Sequence, residues 1–304
     1  MVQAPVGPAT TPELVTAVSR TGALGTLAAS WTEPEALRQL LRGIYGAVGG
    51  EFCVNLVLAF DQKDRLEIVL DEGVRFVSFS WGIEGELIGR ARDRGAVVLV
   101  QVGDVAAAVE AVHRGADVVI AQGLEAGAHV QGTMPLVELI REMRPELEVP
   151  IVATGGIADG ASAQAAVAAG ADAVACGTAF LAASEADVHP AYLDRLLSAV
   201  AADTVLTTIF DVGWPNAPHR VIRNETFTGW VAAGEPERDS RPGAWDVIAT
   251  RDGIPVGRYS DAQPTNSTAG DIEAMALYAG TSVSHVHRVA SAVEITNSIA
   301  DALL

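Results

Sequence analysis

The stretch VVIAQGLEAGAH, residues 118–129, decides the fold because it joins a buried β-strand to a glycine-rich loop. Val118–Gln122 is apolar without strict alternation, which is typical of a parallel strand covered on both faces. The two glycines of the loop let the backbone approach a ligand closely, and His129 is the side chain best suited to proton transfer near neutral pH. We therefore predict a functional loop at the carboxyl end of this strand; a turn with a solvated histidine is the alternative.

Seven further runs of the same kind alternate with helical segments through the first two thirds of the chain. They are Val2–Ala4, Leu24–Leu27, Phe52–Leu56, Phe76–Ser80, Val97–Val102, Ile151–Thr154 and Ala173–Cys176. Apolar residues follow a helical period in Pro135–Arg144, Thr11 is a predicted N-cap, and Gly115 and Gly170 are predicted helix stops. Eight evenly spaced parallel strands favour a (β/α)8 TIM barrel over its rival, a doubly wound open sheet.

The composition changes after Ala202. Residues 203–269 are rich in Pro, Gly, Asn and Arg, and helical periodicity returns at Asp271–Ala279 and Val286–Leu303. A long irregular stretch with few aliphatic clusters does not fold alone. We therefore predict a barrel of residues 1–202 and an appended loop-and-helix segment of residues 203–304, called the lid segment below, that packs over the barrel mouth.

The overall composition excludes several classes of partner. The chain has 304 residues, of which 49% are hydrophobic, and a formal net charge of −18, which argues against nucleic acid or an anionic membrane as a partner. The two cysteines, Cys53 and Cys176, lie in apolar runs and are predicted to be buried free thiols in a reducing compartment. No signal-peptide pattern and no apolar run of about 18 residues is present, so we expect a cytoplasmic protein.

Glycine turns follow the last two predicted barrel strands. Gly155-Gly156-Ile157 comes after Ile151–Thr154, and Gly177-Thr178 comes after Ala173–Cys176. Phosphate often binds at the loops after strands seven and eight of a barrel, where backbone N–H groups and a helix N-terminus form a cradle. The two turns together predict a phosphate site, with tight turns that bind no ligand as the alternative.

The motif QGxEAGxH at residues 122–129 resembles the signature of the nitronate monooxygenase family, once called 2-nitropropane dioxygenases. These are FMN enzymes with relatives among the flavin-dependent enoyl-acyl-carrier-protein reductases. Further matching motifs extend the resemblance over nearly the whole chain. They are Ala4-Pro5-Val6-Gly7, Pro12–Gly25, Val54-Asn55-Leu56, Phe210–Pro215 and Tyr278–Val283.

The resemblance implies a cofactor site and a substrate pocket at the barrel mouth. The residues expected to bind FMN are Ala4, Pro5, Val6, Asn55, Gln101, Gln122, Gly127, Gly155, Gly156, Gly177 and Thr178. Those expected in the substrate pocket are Trp31, Trp81, Tyr278 and Ser282, although tryptophan is also an ordinary core residue. His129 is the expected catalytic residue: it would hold nitronate oxygens as a hydrogen-bond donor, or remove a carbon-bound proton, unless its role is only structural.

Three positions depart from the family pattern. Val6 stands where Met is usual, Ala128 where Gly is usual, and Ala179 where the family motif GTRF has Arg. If position 128 needs a positive φ, alanine there carries strain of about 1 kcal/mol. The change at position 179 removes a cation that would assist phosphate binding.

The other five histidines are not expected to take part in catalysis. His113 on a helical face, and His189 and His219 beside prolines, are predicted to be solvated. His285 and His287 are two residues apart, so on a helix they would point in different directions and form no metal site.

The resemblance implies FMN-dependent oxidation of alkyl nitronates, and of nitroalkanes if these enter, by O2 to a carbonyl compound and nitrite. FMN is preferred to FAD because no GxGxxG motif follows the first strand. An FMN- and NAD(P)H-dependent enoyl-thioester reductase is the first alternative, and a flavin- or phosphate-binding barrel without activity is the second. The expected partners are a small anionic substrate and O2, and homo-oligomer formation is left open.

Overall fold

Eight parallel strands form the centre of the computed structural model, which describes residues 1–303. They are β1 Val2–Gln3, β2 Thr26–Ala28, β3 Cys53–Val57, β4 Phe76–Ser80, β5 Val97–Val102, β6 Val118–Gln122, β7 Ile151–Thr154 and β8 Ala173–Cys176. Neighbouring strands pair in sequence order from β2 to β8, and β8 pairs with β1. A parallel bridge between Val2 and Leu24 closes the ring. The predicted TIM barrel is confirmed, and five of the eight strands have the predicted bounds.

Side chains of the barrel strands are buried on both faces, which explains why the strands lack a strict polar alternation. Outward residues such as Val54 and Val100 belong to the main core between strands and helices. Inward residues at the amino-terminal end of the barrel, such as Leu99 and Ile120, form a small apolar core. Both cysteines are buried and free, and burial raises the pKa of each thiol to about 12.

Seven helices follow the first seven strands. They are α1 Pro12–Ser19, α2 Pro34–Val48, α3 Lys63–Asp71, α4 Gly85–Asp93, α5 Val105–His113, α6 Leu136–Met143 and α7 Gly160–Ala168. The predicted caps are present: the Thr11 hydroxyl accepts from Leu14 N at 3.0 Å, and Gly115 and Gly170 have φ of +104° and +117°. None of the helices in residues 1–303 is long and apolar enough to cross a membrane.

Between β8 and the last helix of the described residues, the chain forms three helices and contributes to two small antiparallel sheets. The helices are α8 Thr178–Leu181, α9 Pro190–Ser198 and α10 Glu225–Ala232. One sheet joins Thr204–Thr207 to His219–Ile222 and then to Ala128–His129 of the motif loop. The other contains Val247–Arg251, Ile254–Gly257 and Thr268–Gly270. The sequence analysis predicted loops here because these strands have at most five residues and lie in a region rich in Pro, Gly, Asn and Arg.

The last helix, α11 Ala292–Ala300, packs against α1 and α7. It therefore completes the outer ring of helices, and Ile299 is fully buried in the main core. The helix predicted over Val286–Leu303 is shorter than expected, and the one predicted over Asp271–Ala279 is wrong. That segment has only a 3-10 turn at Ile272–Ala274. The rest of its backbone is not helical, and its apolar side chains are nevertheless buried. The division at residue 202 stays a prediction.

We expect Ile299→Ala to destabilise the protein by about 2–5 kcal/mol, because it leaves a cavity where α11 meets the barrel core. The control is Val293→Ala on the same helix, where the side chain is 39% exposed. It should change the free energy of unfolding by less than about 0.5 kcal/mol. Chemical denaturation measures both variants; equal losses would show that α11 does not complete the barrel.

Candidate active site

A cavity of about 750 Å³ opens at the carboxyl ends of the barrel strands, beneath the lid segment. Its size suits a cofactor together with a small substrate. All the site residues predicted from the sequence line this cavity. They are Ala4, Pro5, Val6, Trp31, Asn55, Trp81, Gln101, Gln122, Gly127, His129, Gly155, Gly156, Gly177, Thr178, Tyr278 and Ser282. These residues therefore lie together in one cavity, and their individual roles stay predictions.

Two glutamines of the cavity floor hold the loop that carries the histidine. Gln122 Nε2 donates to the His129 carbonyl at 3.1 Å, and its Oε1 accepts from Gln131 N at 2.7 Å. Gln101 Nε2 donates to Gln131 Oε1 at 3.2 Å. Each amide keeps further hydrogen-bonding capacity, so the predicted contacts with a flavin ring stay open. Gln122 also fixes the backbone at residues 129 and 131, and Gln101 holds the Gln131 side chain.

The two glycine turns differ in whether their backbone requires glycine. Gly155 and Gly156 have φ of +107° and +74°, and an added Cβ would lie 3.1 Å from Ala126 N and 3.0 Å from Glu125 Cβ. These positions therefore need glycine for the backbone itself. At Gly177 an added Cβ would meet no atom closer than 3.7 Å. The space beside Gly177 belongs to the cavity and is available to a ligand.

The lid segment is tied directly to the motif loop and to the second turn. An added Cβ at Gly127 would collide with the backbone nitrogen of Gly280, so glycine is needed for this close approach. Thr281 N donates to the Glu125 carbonyl at 3.0 Å. The Thr178 hydroxyl accepts from Gly280 N at 3.0 Å. The cavity is thus enclosed by contacts between the barrel and the lid segment.

His129 lies at the edge of the cavity among aromatic side chains that cover most of its imidazole. The ring stacks on Trp214 with centroids 4.2 Å apart, and the rings of Trp81, His219 and Tyr278 lie within 6.0 Å. Its Nε2 is shielded from solvent and has no hydrogen-bond partner in residues 1–303. Burial, with a smaller contribution from His219, lowers the pKa of His129 to about 3. The imidazole is therefore neutral at physiological pH.

His219 is buried, so the prediction that it is solvated is wrong. Its strand pairs with the motif loop, which places His219 opposite His129. Phe210 N donates to Nε2 at 3.3 Å, so Nδ1 must carry the proton, and it lies 2.9 Å from the Ala217 carbonyl. Both ring nitrogens have protein partners, and burial lowers the pKa of His219. This histidine supports the site by its packing.

Trp214 was not among the predicted pocket residues, although it lies in Phe210–Pro215, a segment that resembles the family sequence. Its ring contacts Trp81 at 4.9 Å and Phe60 at 5.2 Å between centroids, in addition to His129. Trp31 joins the same cluster from the second βα loop and is 55% exposed. The cavity therefore has one aromatic wall, to which the barrel and the lid segment both contribute.

The lid segment also supplies polar groups that sequence reasoning missed. Asp261, Gln263 and Arg251 line the cavity. Burial raises the pKa of Asp261 to about 6, and nearby Arg251 offsets only part of this effect. These residues lie in a polar stretch without periodicity, so no local pattern distinguished them from other surface residues.

Comparisons with known proteins place this barrel and cavity in a family. The family model for nitronate monooxygenase matches residues 56–301. A nitronate monooxygenase of Pseudomonas aeruginosa is 31% identical over 300 residues, covering 81% of this chain and 83% of the relative. A (3aS,4S,5R,7aS)-5-hydroxy-7a-methyl-1-oxo-octahydro-1H-indene-4-carboxyl-CoA dehydrogenase of Mycobacterium tuberculosis is 35% identical over 228 residues, or 74% of this chain, which spans 63% of that relative's length.

Solved structures show the same architecture. FabK from Thermotoga maritima superposes with a TM-score of 0.83 at 28% identity, covering 99% of this chain and 91% of FabK. Nitroalkane oxidase from Streptomyces ansochromogenes superposes with a TM-score of 0.79, also at 28% identity, over 99% of this chain and 94% of that protein. The fold and the cavity define a TIM-barrel oxidoreductase. The chain belongs to the nitronate monooxygenase family.

Ala128 has the strained backbone that the sequence analysis considered, with φ of +56°. We expect Ala128→Gly to be neutral or stabilising, because relief of roughly 1–2 kcal/mol of strain outweighs the flexibility that glycine adds to the unfolded chain, about 0.5–1 kcal/mol. The matched control is Ala126→Gly in the same loop, which is buried and has no positive φ. It should lower the free energy of unfolding measured by urea titration. An equal decrease in the two variants would show that the backbone at Ala128 is not strained.

Proposed function

We propose that this chain is an FMN-dependent oxidoreductase that oxidises alkyl nitronates with O2 to a carbonyl compound and nitrite. The observation that carries the proposal is the neutral, water-shielded His129 at the edge of a cofactor-sized cavity. A nitronate is already an anion and needs no base, and an imidazole with a pKa near 3 is a weak one. Membership in the nitronate monooxygenase family supports the same reaction class.

The cavity fits FMN on three features of the chain. The open space beside Gly177 and the positive-φ turn at Gly155–Gly156 suit a terminal phosphate. Asn55 and Gln101 line the cavity and would hold the polar edge of a flavin. Bound flavin would supply the redox chemistry by accepting electrons from the substrate and passing them to O2.

The remaining residues position the substrate. One ring N–H of neutral His129 would donate a hydrogen bond to a nitronate oxygen, a contact that is strong because water is excluded. Trp81 and Trp214 form an apolar wall against the carbon chain of the substrate. The hydrogen bond from Gln122 Nε2 to the His129 carbonyl would keep the His129 backbone fixed while the substrate binds.

A thioester reductase is the second candidate function. It is favoured by the similarity to FabK and by the relative from Mycobacterium tuberculosis, which is named as the dehydrogenase of a carboxyl-CoA compound. Anaerobic mixing separates the two candidates: rapid flavin reduction by NADH or NADPH indicates the reductase. Reduction by a nitronate without any nicotinamide indicates the monooxygenase.

The phosphate site is tested by Gly177→Leu. Because an added Cβ has room at this position, the protein should fold, while the side chain fills the space assigned to the phosphate. We expect the purified variant to lose its flavin absorption. The control is Gly46→Leu on α2, an exposed position where an added Cβ meets nothing within 4 Å. Full flavin content in Gly177→Leu would show that the phosphate binds elsewhere.

The role of His129 is tested by His129→Asn. The variant should retain FMN, because His129 belongs to neither of the two phosphate turns. Reduction of its flavin by a nitronate should slow on the order of 10²–10³-fold, the usual effect of removing one preorganised donor. His113→Asn, at an exposed position of α5, is the control and should behave like the wild type. A wild-type rate in His129→Asn would remove this histidine from the mechanism.

A further inference from the structure

Three tryptophan rings form a continuous path from His129 to the surface of the protein. The His129 ring stacks on Trp214 at 4.2 Å, and Trp214 contacts Trp81 at 4.9 Å and Trp31 at 6.4 Å between ring centroids. All three tryptophans line the cavity, and together they are called the tryptophan face below. Trp214 is 9% exposed and Trp31 is 55% exposed, so this face leads from the buried end of the cavity to its mouth.

Neighbouring βα loops of the barrel each supply one aromatic ring at this place. Trp31 follows β2, Phe60 follows β3 and Trp81 follows β4. Because parallel neighbours in a barrel end at the same edge, these side chains lie side by side. Phe60 packs edge-to-face against Trp31 at 5.7 Å and against Trp214 at 5.2 Å. It thereby supports both rings, and the tryptophan face is a built surface rather than a chance exposure.

The backbone at Trp81 is strained, which is a second observation at the same place. Its φ is +59°, in the left-handed region that is unfavourable for a residue with a side chain. The Trp81 N–H donates to Gln131 Oε1 at 3.4 Å, beside the loop that carries His129. Strain of this kind persists only where the surrounding structure imposes it, and it clusters at ligand-binding sites. The position of the Trp81 ring against Trp214 is therefore kept despite a local penalty.

The charged side chains that line the cavity come from another part of the chain. Within residues 1–303 they are Asp187, Arg251, Asp252 and Asp261, and all of them follow β8. None of the lining residues that β2, β3, β4 and the loops after them contribute in this range is charged. An apolar group that extends from His129 along Trp81 and Trp31 therefore meets no charged side chain of these loops.

We propose that the tryptophan face is a subsite for an extended alkyl chain attached to the carbon that bears the nitro group. The proposal rests on the proposed function and deepens it by naming the substrate class, which is long-chain alkyl nitronates rather than those of nitroethane size. Ligand cavities are lined mainly by apolar and aromatic side chains, while a few polar groups fix the orientation of the ligand. Here the charged end of the substrate lies at His129, and the chain lies along the tryptophans.

The length of the path sets the length of the chain. The ring centroids lie 4.2 Å apart from His129 to Trp214 and 6.4 Å apart from Trp214 to Trp31. At roughly 1.2 Å per extended bond, a chain of about six to eight carbons reaches from the histidine to Trp31. Shorter chains would leave the Trp31 ring uncovered.

The test follows flavin reduction in the flavin-loaded protein by ethyl-, butyl-, hexyl- and octylnitronate under anaerobic conditions. The second-order rate constant should rise by up to about fourfold for each methylene that the tryptophan face covers. In Trp31→Ala the ratio of the constants for octylnitronate and ethylnitronate should fall roughly tenfold, as expected when one or two methylenes lose their contact. Trp31→Phe should keep most of the ratio. The control is Trp245→Ala in the lid segment, where the side chain is 79% exposed, and it should leave the ratio unchanged.

Alkane carboxylates provide a readout that does not depend on the reaction, because a carboxylate resembles a nitronate in shape and charge but does not reduce flavin. In calorimetric titrations nonanoate should bind more tightly than propanoate, and Trp31→Ala should remove most of the difference. Nonanoate that binds in this way while no nitronate reduces the flavin would support the subsite and refute the proposed function.

Three results would overturn the subsite. The first is equal affinity of the wild type for the two carboxylates. The second is a chain-length ratio that Trp31→Ala leaves unchanged. The third is loss of FMN from Trp31→Ala, which would show that the flavin rather than an alkyl chain covers this face.

Discussion

Burial of the His129 imidazole among aromatic side chains is the constraint on which the rest of the site depends. The ring is covered by Trp214 from the lid segment and by Trp81 from the barrel. Its loop can approach the lid segment only because residue 127 is glycine, and the amide of Gln122 fixes its backbone. Neither the barrel nor the lid segment alone would bury this side chain, so the site exists only when the two are packed together.

Burial of this kind favours His129 as a hydrogen-bond donor and disfavours it as a base. A desolvated imidazole loses most of its basicity, because the charged form is disfavoured. As a neutral donor shielded from water it would bind the anion of the proposed reaction more strongly than in water. Burial of the same kind shifts the pKa of Asp261, which also lines the cavity, upward. Two titratable groups whose pKa values are moved in opposite directions are typical of acid–base sites.

The sequence predicted the barrel and much of its mouth because both depend on local patterns. Apolar runs define the strands, and the functional residues follow directly at strand ends, so Gln122 and Gly177 could be assigned by position. The contributions of the lid segment could not be predicted in this way. His219 reaches the site through strand pairing and Asp261 through packing against Gly213, and both are contacts between residues far apart in sequence. Strands of at most five residues and extended apolar segments likewise lack a period that would distinguish them from loops.

The protonation state of His129 tests the central claim most directly. In the flavin-loaded protein with isotope-labelled histidine, the imidazole resonances can be followed by NMR from pH 5 to pH 8 and assigned by their absence in His129→Asn. Because its pKa is lowered to about 3, His129 should remain neutral over this whole range, whereas an exposed histidine titrates near pH 6.5. Titration of the His129 resonance close to pH 6.5 would show that water reaches the imidazole and would contradict the account.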